Sequence, residues 1–235
     1  MALIPLDLPA GVYRNGTDLQ SQGRWRDSNL VRWFDNTLRP IGGWRTRSDT
    51  ASAGQVRGMH SWIDNSSDRW ISAGSYNKLY IYSGAGIQYD ITPTGLTAGN
   101  ENALNAVGFG TAFYGREYYG TARQEAVTIT PATTWSMDSF GQFLVACSST
   151  DGKVYEWQLS PSTKAAVVAN APVNNRSILV TEERFLMCLG AGGNPRLVQW
   201  SDRENNTVWT PAATNEAGSL ELQTTGRIQC GVRVQ

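Results

Sequence analysis

The carboxylate residues that could hydrolyse a glycosidic bond show no recurrent placement along this sequence. That reaction requires two carboxyl groups that converge on one bond. The candidates are Asp138, Glu156, Glu182 and Glu183. Glu182 and Glu183 are adjacent in a predicted turn, and the other two stand alone. The sequence therefore favours solvated carboxylates over a catalytic pair.

Nucleophilic and metal chemistry have equally few candidates. His60 is the only histidine, so the chain holds at most one Ser-His-Asp triad. Its strand-like surroundings, beside Ser61 and Trp62, favour a structural histidine. One histidine and three scattered cysteines give no zinc-ligand spacing. We therefore predict neither a metal site nor a cofactor.

Two glycine-containing turns resemble ligand loops only superficially. Residues 149–152 lead towards Trp157 and resemble the Asp-box turn of sialidases, but Asp-Gly is an ordinary pair for a tight hairpin. Residues 190–193 resemble a phosphate loop, yet no Lys-Ser/Thr pair follows. Both are predicted to be structural turns, and the sequence predicts a protein that is not an enzyme.

A repeated strand-turn-strand phrase is the strongest structural signal in the chain. Its copies run from 69–74 to 79–82, from 142–147 to 154–157, and from 184–189 to 197–200. Phe143 and Phe185 are 42 residues apart, a period typical of four-stranded propeller blades. The fold class predicted is therefore all-β and β-propeller-like, with blades of about 42 residues.

The repeat also predicts the domain organisation. Residues 1–55 form an N-terminal arm or interface segment, with a strand at 29–34 and a turn at Asp35-Asn36. Residues 56–235 form the blades, which open at 56–63, 134–137 and 177–180, and the last blade is incomplete. Either a longer polypeptide or neighbouring subunits would complete the circle, and the first alternative is favoured.

An insertion at about 94–131 separates the first two blades and is rich in glycine, alanine and tyrosine. It carries a candidate exposed aromatic loop made of Phe113, Tyr114, Tyr118 and Tyr119. Loops of this size in compact domains are usually functional. The loop is therefore a candidate binding surface.

The three cysteines lie at intervals that follow the repeat. Cys147, Cys188 and Cys230 are 41 and 42 residues apart. They are predicted to be small buried residues of equivalent inner strands. Disulfides are not expected, since the count is odd and no secretory signal precedes them.

Charge is balanced overall but uneven along the chain. Twenty basic residues match twenty acidic ones, while residues 11–60 hold eight arginines against four aspartates. Arginine suits planar, partly buried contacts better than lysine does. No apolar stretch reaches the roughly 20 residues of a membrane helix, and no signal peptide is evident. The sequence predicts synthesis in the cytoplasm and no membrane insertion.

Two groups of short sequence segments resemble those of the tail-hub or nozzle proteins of tailed bacteriophages, a group that includes the packaged-DNA-stabilising proteins of short-tailed phages. The segments lie at residues 11–17, 23–25, 30–33, 38–44, 196–202, 209–211 and 215–218. The resemblance implies a propeller-like β domain and a homo-oligomer, a hexameric six-fold ring below the portal and adaptor proteins. It implies a virion protein that forms part of the DNA exit channel, retains packaged DNA and contacts DNA transiently. Adaptor and portal proteins and tail fibres or spikes are the implied partners.

Aromatic and arginine residues of the N-terminal segment form the candidate oligomer or adaptor interface. They are Arg24, Trp25, Arg32, Trp33, Arg39, Trp44 and Arg45. Such residues are enriched at protein interfaces. The alternative is that these tryptophans close the propeller and fill its own core, because tryptophan is also a large core residue.

Two other functions compete with a structural virion protein. One is a propeller-type carbohydrate- or receptor-binding tail component, with Tyr114, Tyr118 and Tyr119 stacking on sugars. The other is a polysaccharide-cleaving enzyme, which would require a carboxylate pair at one end of the propeller. The sequence shows no such pair, so this reading ranks last.

Overall fold

The computed structural model describes residues 9–43, 45–103 and 130–233. The chain divides into two compact units, Met1–Thr46 and Arg47–Gln235. We call them the N-terminal unit and the main unit. The predicted arm, residues 1–55, includes the N-terminal unit and the first residues of the main unit.

The N-terminal unit contains a single described hairpin. Strand β1 (Val31–Phe34) pairs antiparallel with β2 (Thr37–Pro40). Asp35 and Asn36 link the strands with φ angles of 48° and 54°. Two consecutive positive φ angles define a type I′ turn, which Asn and Asp tolerate best after glycine. The predicted strand and turn are confirmed.

Almost none of the described residues of the N-terminal unit are buried. Ser21 is the one buried residue among those described there. Leu19, Leu30, Phe34 and Ile41 are all exposed large apolar side chains. A two-stranded hairpin is marginally stable by itself. The unit therefore has little internal packing to stabilise it.

The main unit contains three four-stranded antiparallel sheets, each a meander of consecutive strands. The first sheet comprises β3 (Gly58–Ile63), β4 (Arg69–Gly74), β5 (Leu79–Ser83) and β6 (Gln88–Asp90). The second comprises β7 (Trp135–Phe140), β8 (Phe143–Ser148), β9 (Val154–Trp157) and β10 (Ala166–Val167). The third comprises β11 (Ser177–Val180), β12 (Leu186–Leu189), β13 (Leu197–Trp200) and β14 (Gly218–Glu221).

The repeated phrase folds as the second and third strands of each sheet, in line with the prediction. Its three copies coincide with β4–β5, β8–β9 and β12–β13. The predicted opening strands correspond to β3, β7 and β11. The all-β class is confirmed, and the described residues contain no α-helix, only a 3₁₀ turn at Ala191–Gly193. The predicted insertion falls between β6 and β7, and its residues 104–129 lie outside the described part of the chain.

The second sheet lies between the other two and packs on both of its faces. Its residues Leu144, Ala146, Tyr155 and Trp157 join a core with residues of the first sheet. Its residues on the opposite face, with Val145 and Cys147 at the centre, join a core with the third sheet. The alternation of side chains along β8 explains this arrangement, because successive residues of a strand point to opposite faces.

The first strands of the three sheets are neighbours, with β7 between β3 and β11. The close approach of β3 and β7 depends on Gly58, where an added Cβ would lie 2.7 Å from the Cβ and the carbonyl oxygen of Trp135. The Trp135 indole donates a 2.6 Å hydrogen bond to the carbonyl of Ser75. Side-chain bonds across sheets therefore reinforce the apolar packing.

The cysteine prediction holds for two of the three residues. Cys147 and Cys188 are buried on β8 and β12, whereas Cys230 is exposed beyond the third sheet. Cys230 is therefore not a buried inner-strand residue, because no described strand contains it. Burial raises the pKa of the Cys147 thiol to about 12, so this thiol is not a reactive nucleophile. All three are free thiols.

Candidate assembly interface

The β1–β2 hairpin places its two arginines on one face and Trp33 on the other. Arg32 lies directly opposite Arg39 in the register, and Trp33 lies opposite Leu38. Since side chains alternate along a strand, the two arginines share one face and Trp33 occupies the other. Both arginines are exposed, while Trp33 is half-buried.

Trp25 packs against the apolar face of this hairpin. Its ring lies 6.0 Å from the ring of Trp33, at an interplanar angle of 59°. Trp25 is held in place by a hydrogen bond from the Tyr13 N–H to its carbonyl, 2.8 Å long. The structure thus brings together two tryptophans that lie eight positions apart in the sequence.

Both of these indole N–H groups lack an acceptor. Trp25 Nε1 and Trp33 Nε1 are buried, and neither has a hydrogen-bond partner among the described residues. A buried donor left unsatisfied costs about 1–3 kcal/mol. Each of these two donors therefore carries a desolvation cost within the unit.

Arginines of the N-terminal unit lie over aromatic rings. The Arg39 guanidinium is 4.7 Å from the centroid of Phe34, and the Arg24 guanidinium is 5.2 Å from that of Tyr13. These distances are within the range of cation–π attraction. The rings orient the cations without neutralising them.

Ion pairs in this unit involve other arginines. Arg14 pairs with Asp27 at 2.9 Å, and Arg26 pairs with Asp18. Within residues 9–43, 45 and 46, no ion pair forms at the predicted interface arginines, which are Arg24, Arg32, Arg39 and Arg45. The hairpin face therefore presents two guanidinium groups that form no ion pair with the described residues of this unit.

Two predicted interface residues are not part of this cluster. Trp44 lies outside the described residues. Arg45 is exposed, and no described hydrogen bond, ion pair or ring contact joins it to the hairpin. The predicted aromatic loop of Phe113, Tyr114, Tyr118 and Tyr119 likewise lies outside the described residues.

His60 occupies a structural position between the first two sheets. Its Nε2 is 2.8 Å from the Ser139 hydroxyl, and its ring stacks on Trp62 with centroids 5.8 Å apart. Burial lowers the pKa of His60, although the nearby Asp138 carboxylate acts in the opposite direction. The Asp138 carboxylate accepts hydrogen bonds from the N–H groups of Ser139 and Val180. No described bond from Asp138 orients His60, as a catalytic triad would require.

The Asp-Gly turn at residues 149–152 is structural, as predicted. Gly152 has a φ of 68°, and an added Cβ there would lie 2.6 Å from the Cα of Asn174. Although burial acts to raise it, hydrogen bonds from the Tyr155 hydroxyl and the Thr97 N–H hold the pKa of Asp151 below its ordinary value. Asp151 thus joins the turn to strand β9 and to the loop at Thr97. The Gly190–Gly193 stretch also forms a turn, between β12 and β13.

A polar groove near the β7–β8 turn contains Glu204, a carboxylate that was not among the candidates taken from the sequence. Glu156 and Glu204 both line it, together with Phe140 and Phe143. Asn206 donates a hydrogen bond to Glu156, and Arg184 lies 4.0 Å from Glu204. Glu204 lies in a loop after β13, so spacing within the strand repeat gives no signal for it.

Comparison with protein-family models, with curated proteins and with solved structures finds no match for this chain. Among the described residues, no helical segment has the length and apolarity needed to cross a membrane. In the same residues, no three His, Cys, Asp or Glu side chains gather as metal ligands would.

Proposed function

We propose that this chain is a structural protein of a phage tail, a nozzle or hub ring below the portal and adaptor. In this role it forms part of the DNA exit channel and helps to retain packaged DNA. The observation that carries the proposal is the N-terminal unit. Its described residues combine arginines that form no ion pair with almost no buried core, as expected of a segment that packs on another subunit.

The main unit supports a propeller-like scaffold for such a ring. Each of its three sheets is a four-stranded meander, and their first strands are neighbours. Successive propeller blades have this relationship, with each blade packing face to face on the next. A rigid all-β scaffold suits a protein whose role is geometric.

The arginine face of the hairpin is the proposed contact with a neighbouring copy or the adaptor. Arg32 and Arg39 present paired guanidinium groups, which bind carboxylates in a bidentate way. Trp25 and Trp33 supply the aromatic anchors that dominate binding energy in many interfaces. An acidic partner surface would complement the two guanidinium groups.

The charge of the chain is compatible with transient contact with DNA. Phosphate binding grows stronger with each neutralised phosphate, so a strongly basic channel would slow ejection. The chain has a formal net charge of zero at pH 7. We propose that the wall of the channel contacts DNA without gripping it, and that the protein performs no catalysis.

Peptide-mapping mass spectrometry of purified phage particles tests this function. We expect peptides of this chain in the particles at several copies each. An abundant signal in the lysate with none in the particles would refute the virion role. The particle-free lysate fraction, analysed in parallel, controls for adventitious carry-over.

A second candidate, carbohydrate binding by a tail component, is favoured by the groove near the β7–β8 turn. Sugar sites combine aromatic rings with amide and carboxylate groups that bind hydroxyls. Phe140, Phe143, Glu156 and Asn206 provide these groups along one groove. A glycan array probed with the full chain tests it, and binding that is lost in Glu156→Gln would support this alternative.

A further inference from the structure

The face of the first sheet that points away from the second sheet is apolar and open. Met59, Ile63 and Ile71 are 66%, 61% and 38% exposed. Ile71 and Met59 line a groove with Arg69 and Tyr82. The segment that precedes β3 covers part of this face, since the Ala53 N–H donates to the Tyr80 hydroxyl. No described residue covers the remainder.

The arrangement of side chains on this open face resembles, row by row, that on a buried face of the second sheet. Strand pairing defines the rows, because residues directly opposite each other share a face. The first row reads Met59, Ala73 and Tyr80 in the first sheet, and Met137, Ala146 and Tyr155 in the second. The next row reads Ser61, Ile71 and Tyr82 in the first sheet, and Ser139, Leu144 and Trp157 in the second.

In the second sheet these rows are a packing face. Leu144, Ala146, Tyr155 and Trp157 are each 1% exposed, and they are buried against the first sheet. Similar residue types at the same register positions are therefore buried on β8 and β9 of the second sheet. In the first sheet Ala73 and Tyr80 are buried, while Met59 and Ile71 are exposed. The exposed part of the first-sheet face therefore has the side-chain pattern of a face that packs on another sheet.

The third sheet carries the complementary open face. Its Met187 pairs with Trp200, and Val198 pairs with Leu220, on the side away from the second sheet. Leu220 is 58% exposed. The Trp200 indole lies across Gly218, where an added Cβ would lie 2.5 Å from the ring. This face corresponds in register to the face of the first sheet that packs on the second, with Met187 at the position of Ser72.

The segment after β14 covers only one end of that face. An added Cβ at Gly231 would lie 2.8 Å from Leu189 and 3.5 Å from Leu179. Leu189 is accordingly buried. Met187 and Trp200 remain half-exposed, so an apolar surface is left for a partner.

Charges at the rim of the two faces are complementary. Arg69 of the first sheet corresponds in register to Arg184 of the third sheet. Arg184 lines one groove with Gly141, a residue of the β7–β8 turn in the second sheet. The corresponding turn of the third sheet carries Glu182 and Glu183, both exposed. Stacking the first sheet on the third in the same way would place Arg69 beside these two carboxylates.

We propose that these two faces bind each other between copies of this chain. The open face of the first sheet in one copy packs on the open face of the third sheet in the next, which continues the sheet-on-sheet packing of the main unit. The interface is heterologous, so it generates a closed ring or an open filament. Its residues all belong to the main unit, and it does not depend on the phage assignment.

Sedimentation velocity of the purified full chain over a range of concentrations tests this interface. The variant Met59→Glu blocks the first-sheet face, and Leu220→Glu blocks the third-sheet face. We expect the wild type to oligomerise and each variant to be monomeric. An equimolar mixture should form a one-to-one dimer, because each variant keeps one functional face. Val173→Glu, which introduces the same charge at an exposed apolar site elsewhere, should assemble like the wild type.

Three results would overturn the proposal. They are a wild type that stays monomeric at every concentration, variants that assemble like the wild type, and variants that dimerise separately. Far-UV circular dichroism and thermal unfolding verify that each variant folds, with Ile71→Glu and Met187→Glu as substitutes. Normal assembly of both variants through the N-terminal unit would refute this interface and leave the virion role intact.

A charge swap gives an independent test of register. Arg69→Glu should weaken assembly, since it faces Glu182 and Glu183 with a like charge. Adding Glu182→Arg and Glu183→Arg to the same chain should restore it. Failure of the swap to restore assembly, in a chain that folds normally, would refute the proposed stacking.

Discussion

Ser136 on β7 holds the backbone of Ile178 on β11 at both of its polar groups. The Ser136 hydroxyl donates to the Ile178 carbonyl at 2.8 Å and accepts from the Ile178 N–H at 3.1 Å. Two residues further along, Asp138 accepts from the Val180 N–H at 2.9 Å. The first strands of the second and third sheets are therefore joined by side chains that replace a backbone ladder.

Substituting Ser136 with alanine should destabilise the main unit. The change leaves the N–H and carbonyl of Ile178 without this partner, which costs about 1–3 kcal/mol for a buried group. Urea denaturation gives the free energy of unfolding. Ser219→Ala removes an exposed hydroxyl from β14 and should change this energy by less than about 0.5 kcal/mol. Equal effects of the two substitutions would show that the inter-sheet bond adds no stability.

Gly58 should be intolerant of even a single added methyl group. Its Cβ would lie 2.7 Å from the backbone oxygen of Trp135, a contact that the paired first strands cannot relieve without moving apart. We expect Gly58→Ala to lower the free energy of unfolding by about 1–3 kcal/mol. Gly84→Ala is the matched control, because its Cβ would meet Arg69 at an ordinary distance of 3.6 Å. A control as destabilising as Gly58→Ala would contradict the steric explanation.

His60 should make stability depend on pH in the weakly acidic range. Burial lowers its folded pKa below the ordinary 6.5, so the unfolded chain binds the proton first. The free energy of unfolding should then fall as pH drops from about 6.5 through the lowered pKa, and level off below it. As this is the only histidine, its imidazole signals in NMR spectra report the pKa without ambiguity.

His60→Gln is the control for this titration. Glutamine keeps a polar group near Ser139 but does not titrate, so the slope of stability against pH above about 5 should become smaller. A measured pKa for His60 at or above 6.5 in the folded protein would contradict the argument from burial. It would indicate that the Asp138 charge outweighs desolvation.

The strand content of the main unit could be predicted from the sequence, and its packing faces could not. The phrase around Phe143 and its copies indicates strands, because each is a short apolar run near turn residues and the copies recur at a blade-like period. The correspondence of Met59 with Met137 depends on cross-strand register. That register is set only in the folded sheets, because the loops between the strands differ in length from one sheet to the next.

The interface residues show the same division. Composition alone indicates Trp25, Trp33 and the arginines, but the placement of Arg32 opposite Arg39 on one hairpin depends on a type I′ turn. The burial of Cys147 followed from the repeat, and the exposure of Cys230 did not, because no described strand forms around it. The local sequence pattern predicts where strands and turns lie. The residues that a side chain contacts depend on how the strands pair in the folded chain.

Replacing Arg32 and Arg39 with alanine should prevent ring assembly and leave the fold intact. Both side chains are exposed on one hairpin face, and no described carboxylate pairs with them, so their loss removes charge from a surface without opening a core. Native mass spectrometry and negative-stain microscopy measure the rings, while circular dichroism measures the fold. Arg14→Ala with Arg26→Ala removes the same charge from the same unit, but from exposed ion pairs that contribute little. That control should assemble normally, and normal rings from the Arg32 and Arg39 variant would refute the interface.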